Sequence, residues 1–466
     1  MKPIRLHKLL RLIGISPKGY PNTLIKSVED RVDRVAERTV IFHLKKTIEL
    51  DTDRFQKVRS CFIITDQPFL KRQQLPRERL IFVTNVEQAY LAFIRYYRSQ
   101  FQIPVVAVTG TCGKTTTKEM IKQALSHEYR VVATVRSKNN LRYNHRYLMA
   151  IDETTDVAVF EMAMTHPGNL ITESEFFRPT IGVITMIGVD HLNQLKTMDH
   201  YIRAKGEMLA ALNYEGTLIL NQDDVHTQQI DFSPYRGKII TFSLKQKADF
   251  QATNIEYAES GMRFTLVHRG HRYPVYVPGL GTHQVANALA ALAVLSELGM
   301  DLKKAIGYLS LFEPVPSHTA LLKGWNGSII IDDTWSSNPT SFQSALAVLG
   351  EKGKGKKKVA VIGRINYLGA HEKRSYHELG KRLVDAGIDY VVIADDKARP
   401  IGESAVYHGL DPSRYLFCPD RRELGDRLKK LLDEQTVLLM KVSMLDKSFR
   451  PVLDAITVKR QSENRI

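Results

Sequence analysis

Short apolar runs alternate with amphipathic stretches along most of the chain, and this alternation predicts its secondary structure. The runs at 105–110, 156–162 and 180–187 are rich in β-branched residues and predict buried parallel strands. Helical spacing of apolar residues occurs over 199–212 and 283–298. Strands separated by helices indicate βαβ units, so we expect an α/β fold with a mostly parallel sheet.

The pattern also predicts three segments. Residues 1–104 mix short strand-like runs with one helix and predict a small α/β N-terminal domain. Residues 105–313 predict a central, mostly parallel sheet domain, with closely spaced antiparallel strands near 249–277. Residues 314–466 begin a new alternation and predict a C-terminal Rossmann-like domain. Its strands are expected near 328–332, 357–362, 389–394, 414–417 and 436–440, and its helices near 340–349, 374–386, 421–433 and 447–456.

The composition is that of an ordinary globular protein. Of the 466 residues, 43% are hydrophobic and 25% are charged, which argues against disordered and collagen-like chains. Cys61, Cys112 and Cys418 form no CxxC pair, so neither a disulfide framework nor a zinc knuckle is indicated. No apolar run reaches the roughly 18 residues of a membrane span, and no signal peptide is recognisable. We therefore expect a cytoplasmic protein without stable membrane insertion.

The formal net charge of +16 is unevenly distributed. Residues 1–104 carry 20 basic and 10 acidic residues, a net charge of +10, whereas 105–313 are neutral by count and 314–466 carry +6. The densest basic run, Lys352–Lys358, lies between a helical pattern and a strand pattern and predicts a solvated loop. The basicity therefore indicates an anionic small substrate, and nucleic-acid binding is the weaker alternative.

The most specific motif lies in the segment from Val105 to Thr117. A predicted strand enters a turn with Gly110 and Gly113 and then a helix, an arrangement in which backbone N–H groups cradle phosphate. Lys114 would face the β- and γ-phosphates, and the Thr115 hydroxyl would ligate Mg²⁺. The first glycine of GxxxxGK[ST] is absent, but the context predicts a P-loop in the central domain.

Several further motifs occur in one order along the chain. They are TGTCGKTTT, DVAVFEMAMTHPGNL, FRPTIGVITMIGVDHL, AKGEML, GTHQVANALAA, IDDTWSSNP and VIGRINYLGAHEKRSYHELG. Together they resemble the Mur ligases, the ATP-dependent amide ligases of cell-wall peptide assembly, over about residues 80–455. The resemblance implies that ATP phosphorylates a substrate carboxylate and that an amine then attacks the acyl phosphate. It further implies a UDP-N-acetylmuramoyl peptide and D-alanyl-D-alanine or a similar amine as substrates, action as a monomer, and two Mg²⁺ ions.

The resemblance also assigns roles to individual residues. It implies that Lys114, Lys205 and His191 are catalytic, and that Lys205 can be carbamylated and so made able to hold a metal ion. The implied metal ligands are Thr115, Glu161, His191 and Lys205. The implied nucleotide-binding residues are Gly110, Thr111, Gly113, Lys114, Thr115, Thr116, His283, Asn287, Asp333 and Asn338.

Some of these residue types have ordinary structural explanations. Glu161 could be an exposed carboxylate at a strand end, and Lys205 a lysine on a helix surface. Asp190 could orient His191 or cap a helix. Cys112 could be a small filler, or a thiol whose pKa is lowered by its position in the loop beside Lys114.

The substrate-facing motifs of the family are less well preserved than its ATP motifs. His318 stands near the place of a phosphate-contacting arginine, and the Asn139–Asn144 loop departs from the usual NNxIGxP. Gly-Asp-Met is replaced at 363–365, Lys441–Met444 replaces Lys-Gly-Ser-Arg, and Arg450 replaces a glutamate. The uridine-side loop has Glu49–Phe55 as its nearest counterpart, and Trp335 replaces a tyrosine. These departures leave open a Mur-type ligase for a different carboxylate and amine, beside the more distant alternatives of a nucleic-acid-associated P-loop NTPase and a noncatalytic scaffold.

Overall fold

The computed structural model of the chain describes residues 1–67, 76–139 and 141–458. Residues 68–75 and 459–466 of the predicted terminal segments, and residue 140 of the Asn139–Asn144 loop, lie outside the described residues. The chain forms two compact units. The first comprises Met1–Val105, Tyr129–Phe160 and Thr172–Arg178, and the second comprises Val106–Glu128, Glu161–Ile171 and the described chain from Pro179 onward. The division into three segments stays a prediction.

The helices and strands follow one another in three groups along the chain. The first group is β1 (Ile4–Arg5), α1 (Leu6–Leu12), β2 (Leu24–Ile25), β3 (Ser27–Glu29), β4 (Thr39–Phe42), α2 (Thr52–Lys57), β5 (Cys61–Thr65), β6 (Leu80–Phe82) and α3 (Val86–Ser99). The second is β7 (Val105–Thr109), α4 (Lys114–Leu125), β8 (Val131–Ala133), α5 (Leu141–Ala150), β9 (Val157–Glu161), α6 (Asn169–Phe177), β10 (Ile181–Ile184), α7 (Leu192–Leu195), α8 (Met198–Gly206), α9 (Met208–Ala211), β11 (Thr217–Asn221), β12 (Lys238–Ser243), β13 (Phe250–Tyr257), β14 (Gly261–His268), β15 (His271–Pro278), α10 (Thr282–Glu297) and α11 (Leu302–Ser310). The third is β16 (Ala320–Lys323), β17 (Ile329–Asp333), α12 (Pro339–Lys352), β18 (Lys357–Ile362), α13 (Glu372–Asp385), β19 (Tyr390–Ile393), α14 (Arg399–Tyr407), β20 (Tyr415–Phe417), α15 (Arg421–Leu431), β21 (Thr436–Lys441) and α16 (Phe449–Ile456).

The first unit contains a small parallel sheet in the order β3-β4-β5-β6. Every residue of β4 and β5 is buried, so other parts of the protein cover both faces of these strands. β1 and β2 form a separate antiparallel pair, and β8 pairs with β9 in parallel. The predicted strands and the predicted helix of the first hundred residues are confirmed.

In the second unit, the central sheet has the order β15-β14-β13-β12-β11-β10-β7. The strands from β7 to β13 are parallel, and β13, β14 and β15 pair antiparallel, which confirms the predicted antiparallel patch. α10 buries eleven of its sixteen residues, because its Ala-rich and Leu-rich faces both meet other elements. The phosphate-loop motif therefore follows a fully buried parallel strand, β7.

The last sheet has the order β16-β17-β21-β18-β19-β20, and β16 is its antiparallel strand. Together with the central sheet it confirms the predicted α/β class. Parallel strands bring their carboxyl ends to one edge, so the residues after β17, β18 and β21 lie together. The helix α14 was not predicted from the sequence, and it carries Pro400 in its first turn. Proline is accepted there because it stands in the first turn, where no intrahelical N–H bond is lost.

The lysine run is largely engaged by its surroundings. Lys352 Nζ donates to the carbonyl oxygen of Glu259 at 2.8 Å, and Lys356 Nζ donates to that of Glu434 at 2.9 Å. Lys357 forms an ion pair with Asp433 at 2.8 Å. Among the described residues, no helix has both the length and the apolar character for crossing a membrane.

Candidate active site

The turn between β7 and α4 requires its two glycines. Gly110 has φ +141° and Gly113 has φ +84°, conformations that L side chains rarely adopt. A Cβ on Gly110 would lie 2.0 Å from Thr185 Oγ1, and one on Gly113 would lie 2.4 Å from Asn287 Oδ1. The loop therefore passes its neighbours too closely for a side chain, although the first glycine of the standard motif is missing.

Lys114 stands at the first position of α4 and folds back over this loop. Its Nζ donates to the carbonyl oxygens of Gly110 at 2.9 Å and Thr111 at 3.0 Å. The ammonium group is thus held beside the helix N-terminus, where N–H groups and the helix dipole already favour an anion. This is the geometry that the predicted phosphate role of Lys114 requires.

Thr111 and Thr116 are both buried. The Thr111 hydroxyl accepts from the Gly188 N–H at 2.9 Å and contacts the Tyr201 hydroxyl at 2.9 Å. The Thr111 N–H donates to the carbonyl oxygen of Met186 at 2.7 Å. Thr116 is buried in the first turn of α4. Thr111 thus anchors the loop, and direct phosphate contact by Thr111 and Thr116 stays a prediction.

Two oxygen ligands meet next to the loop. The Thr115 hydroxyl donates to Glu161 Oε2 at 2.9 Å, although the two residues are 46 positions apart. Glu161 ends β9 and is 1% exposed, so it is not the exposed strand-end carboxylate considered above. Hydroxyl and carboxylate oxygens are the donors that Mg²⁺ prefers. In the described part of the chain, no group of three or more His, Cys, Asp or Glu side chains could hold a metal, so any site here needs other donors.

Lys205 is a buried lysine and not a surface residue. It is 1% exposed, and its Nζ donates to Thr109 Oγ1 at 3.3 Å. Burial, and then the nearby charge of Lys114, lower the pKa of Lys205 to about 7. A substantial fraction of this amine is therefore neutral near pH 7, which is the form that can react with carbon dioxide to give a carbamate.

His191 lies at the start of α7, with φ +51°. Its backbone N–H donates to Asp190 Oδ1 at 2.8 Å, and its ring stacks on Tyr367 with centroids 5.0 Å apart. Asp190 thus bonds the backbone of His191, and its carboxylate lies 3.9 Å from the ring Nε2, while His191 itself occupies the N-cap position. Burial lowers the pKa of His191, so the imidazole is neutral and keeps a lone pair for a metal ion.

Among the predicted nucleotide-binding residues, His283 and Asn287 lie on α10, whereas Asn338 lies at the start of α12. Asn287 lies beside α4, where its Oδ1 accepts from Thr117 Oγ1 at 3.3 Å. His283, one turn earlier on α10, is half-buried, and loss of solvation lowers its pKa to about 4. Asn338 caps α12, and its Nδ2 donates to Asp190 Oδ2 at 3.3 Å. The structure thus brings Asn338 to the His191 side of the site.

Asp333 has a partner that sequence reasoning missed. Its Oδ2 accepts from Lys441 Nζ at 2.6 Å across 108 positions, and both side chains are buried. Lys441 also donates to Ser341 Oγ at 2.9 Å and to the carbonyl oxygen of Ser336. No local signal could identify this pair, since the two residues end neighbouring strands of the sheet, β17 and β21.

His318, one of the departures, and Cys112 of the phosphate loop now have a structural description. His318 stacks on Trp335 with ring centroids 5.5 Å apart, and burial lowers its pKa, so no cation replaces the missing arginine there at neutral pH. Cys112 donates to Asn338 Oδ1 at 3.4 Å, and burial raises the pKa of its thiol to about 11. The suggested lowering of the Cys112 pKa is therefore wrong, because loss of solvation outweighs the charge of Lys114.

Comparisons with known proteins give consistent results. Two family models match, the Mur ligase middle domain over residues 108–295 and the Mur ligase glutamate ligase domain over residues 320–443. UDP-N-acetylmuramoyl-tripeptide–D-alanyl-D-alanine ligase of Bacillus subtilis (strain 168) is 29% identical over 364 residues, 78% of each chain. The enzyme of that name from Escherichia coli (strain K12) is 28% identical over 365 residues, again 78% of each chain.

Solved structures share the fold. MurF from Acinetobacter baumannii matches with a TM-score of 0.83 at 24% identity, covering 97% of this chain and 98% of that one. MurF ligase from Thermotoga maritima, solved in complex with ADP, matches with a TM-score of 0.76 at 22% identity, covering 92% and 96%. The two family models span the phosphate loop, Glu161, His191, Lys205, Asp333 and Lys441.

Proposed function

The chain belongs to the Mur ligase family, and we propose that it uses ATP to join D-alanyl-D-alanine to a carboxylate of a UDP-N-acetylmuramoyl tripeptide. Its curated relatives with this activity in their names align over about three quarters of the chain. One observation carries the proposal most strongly. Lys114, the Thr115–Glu161 oxygen pair and the buried Lys205 are arranged around a single glycine loop.

The reaction must bring two anions together, a carboxylate and the γ-phosphate of ATP. Lys114 and the N-terminus of α4 attract the phosphates, which lowers this repulsion. A carboxylate oxygen then takes the γ-phosphoryl group, and the bond to the β-phosphate breaks to release ADP. The amine lone pair of the acceptor attacks the resulting acyl phosphate, the amine loses a proton, and phosphate leaves as the amide forms.

The donor atoms at this site fit Mg²⁺. The Thr115 hydroxyl and Glu161 carboxylate would hold one ion, while His191 and a carbamylated Lys205 would hold a second. Bound Mg²⁺ would supply positive charge to the phosphate and carboxylate oxygens. Carbamylation suits Lys205 because the modification turns a buried cation, which is costly, into an anion beside a metal ion.

The acceptor amine would bind at the carboxyl edge of the last sheet. Parallel α/β sheets bind ligands at this edge, and here it includes the segments after β17, β18 and β21. Asn338 already reaches the phosphate loop, where its Oδ1 accepts from Cys112 Sγ at 3.4 Å, so Asp333 and Asn338 would complete the nucleotide site together with residues near β7. We propose a monomeric enzyme that works in the cytoplasm, where ATP is available, and that does not bind nucleic acid.

A second candidate function keeps the chemistry and changes the substrates. It is favoured by the departures at His318, Met444 and the Glu49–Phe55 loop, which affect substrate positions more than ATP positions. Met444 is 45% exposed where related sequences carry a cation, and the neutral His318 stacks on Trp335. A Mur-type ligase for another carboxylate and amine would retain Lys114, Glu161 and Lys205.

Phosphate release in the presence of ATP and Mg²⁺ tests both candidates. UDP-N-acetylmuramoyl tripeptide with D-alanyl-D-alanine is compared with a panel of other UDP-linked peptides and amines. We expect release only with a matched carboxylate and amine, and its loss in Lys114→Ala. Lys122→Ala is the matched control, since Lys122 is on the same helix and pairs with Glu119. No release with the tripeptide pair, together with release by another pair, would replace the first function by the second.

A further inference from the structure

Two histidines meet on the outer side of the last sheet, away from the phosphate loop. His377 lies in α13, and His408 directly follows α14. Their Nε2 atoms are 3.2 Å apart, and their ring planes are inclined at 55°. Neither residue belongs to the proposed ligase site. The contact therefore needs an explanation of its own.

The close approach of the two helices explains why the rings meet. A Cβ on Gly380 would lie 2.5 Å from Ser404 Cβ and 2.6 Å from the carbonyl oxygen of Ile401, so only glycine allows this packing. His377 lies three residues before Gly380, and His408 lies four residues after Ser404. Residues at these spacings share a helix face, so the crossing point places the two rings side by side.

Ser404 contacts both the backbone and the ring of His377. Ser404 Oγ donates to the carbonyl oxygen of His377 at 2.8 Å and lies 3.3 Å from its Nδ1. In the tautomer of His377 whose Nδ1–H donates to Ser404, the lone pair is on Nε2, on the side of His408. Histidines that bind metals are commonly oriented by such a bond to the other ring nitrogen.

The spacing matches that of two ligands on one metal ion. With metal–nitrogen bonds of about 2.0–2.1 Å, two ligands of a tetrahedral ion lie about 3.3 Å apart. We propose that His377 and His408 form a surface site for a divalent transition ion of the zinc class, which bridges α13 and α14. Imidazole nitrogen suits Zn²⁺, Ni²⁺ and Cu²⁺ better than it suits Mg²⁺, which prefers oxygen ligands.

Water would complete the coordination shell of this ion. The nearby carboxylates are engaged in pairs within their own helices, Glu378 with Arg382 at 3.1 Å and Glu403 with Arg399 at 3.0 Å. Within the described ranges, no cluster of three or more His, Cys, Asp or Glu side chains could add a further ligand. Two protein ligands and water make a site that responds to the free ion concentration and stabilises the helix pair when filled.

Calorimetric titration of untagged protein with Zn²⁺, in buffer with excess Mg²⁺, tests the proposal. His377→Gln and His408→Gln are each expected to remove one bound Zn²⁺ per chain, and Ser404→Ala to weaken that site by about tenfold. His271→Gln is the matched control, because His271 is an exposed histidine outside the pair. Zn²⁺ should also raise the melting temperature of the wild type and not that of the two histidine variants.

The histidine variants keep the ligase site intact, so turnover with Mg²⁺ alone should equal that of the wild type. Comparison with them also separates this site from Zn²⁺ bound near His191, which all variants retain. If His377→Gln or His408→Gln binds as many Zn²⁺ ions as the wild type with equal affinity, the site does not exist. The two nitrogens would then share only a hydrogen bond.

Discussion

The phosphate-loop region of the second unit and the interior of the first unit use charged residues differently. In the second unit, Lys114 donates to a carbonyl oxygen of the loop, and Glu161 accepts from the Thr115 hydroxyl. A ligand can replace either contact. In the first unit, Arg146 is tied to the buried carboxylate of Asp30, and His145 is enclosed by aromatic rings. Lys114 and Glu161 thus have partners that a ligand could displace, whereas Asp30 and His145 of the first unit are buried in its interior.

The two kinds of group depend differently on the substrate. Groups that handle ATP act on the same phosphates whatever the carboxylate is. Groups that recognise a substrate depend on which carboxylate and amine are joined. The following predictions test the comparison, from the largest expected effect to the smallest.

The largest effect is expected from breaking the buried Lys441–Asp333 pair. Lys441→Met leaves the Asp333 carboxylate buried without a cation, which should lower the free energy of unfolding by about 3–5 kcal/mol. Urea denaturation measures the change. Lys441→Met combined with Asp333→Asn should recover most of it, because no buried charge remains. Arg450→Ala, which removes an exposed pair with Asp454, is the control and should cost only about 0.3–0.5 kcal/mol. If Lys441→Met and Arg450→Ala lower the free energy of unfolding equally, the Lys441–Asp333 pair does not stabilise the segment after β17.

Glu161→Gln tests whether the phosphate-loop region is catalytic. Loss of the carboxylate charge should lower kcat by about 10²-fold and raise the Mg²⁺ concentration needed for half-maximal turnover. The side chain keeps its size, so the melting temperature should change little. Glu128→Gln, just after α4, serves as the control, since Glu128 pairs with Lys304 at 2.8 Å and is outside the site. An unchanged Mg²⁺ requirement would remove Glu161 from the metal site.

Arg146→Met tests whether Arg146 stabilises the first unit or binds substrate. Asp30 would lose its partner while staying buried, and we expect a loss of about 1–3 kcal/mol in the free energy of unfolding. Turnover with ATP and the matched substrates should be kept once the protein is folded. Arg130→Met, an exposed arginine of the same unit, is the control. A large rise in KM for the carboxylate substrate with normal stability would instead make Arg146 a substrate-binding residue.

His145 should make stability depend on pH in the acid range. Its ring is 3% exposed between Tyr90 and Phe176, and burial lowers its pKa from 6.5 to about 4. Below pH 6.5 the unfolded chain binds a proton that the folded chain does not, so stability falls as the pH is lowered toward 4. The slope from this group approaches about 1.4 kcal/mol per pH unit.

His145→Phe should remove that part of the slope, because phenylalanine does not titrate. Unfolding measured at several pH values from 7 to 4 for both proteins gives the comparison. Parallel curves for the variant and the wild type would show that His145 is not buried as a neutral ring. If His145→Phe is less stable than the wild type at pH 7, the two stability curves should converge as the pH is lowered, because only the wild type loses stability through His145.

Sequence patterns were sufficient for most of the fold. The apolar runs that became β7, β10, β17 and β21 were recognisable because buried parallel strands require continuous apolar residues. α14 was not predicted from the sequence, and its Pro400 is acceptable in a first turn but disfavoured elsewhere in a helix. The conformation of the phosphate loop was also predictable, since glycine spacing, strand and helix are local features.

What the sequence determined by itself was the α/β class, the phosphate loop and the order of the candidate residues. Tertiary structure decided which of them meet, because contacts such as Thr115 with Glu161, Lys441 with Asp333 and His377 with His408 join distant positions. It also decided their ionisation. Burial lowered the pKa of Lys205 and raised that of Cys112, and no sequence pattern reports how much water surrounds a side chain.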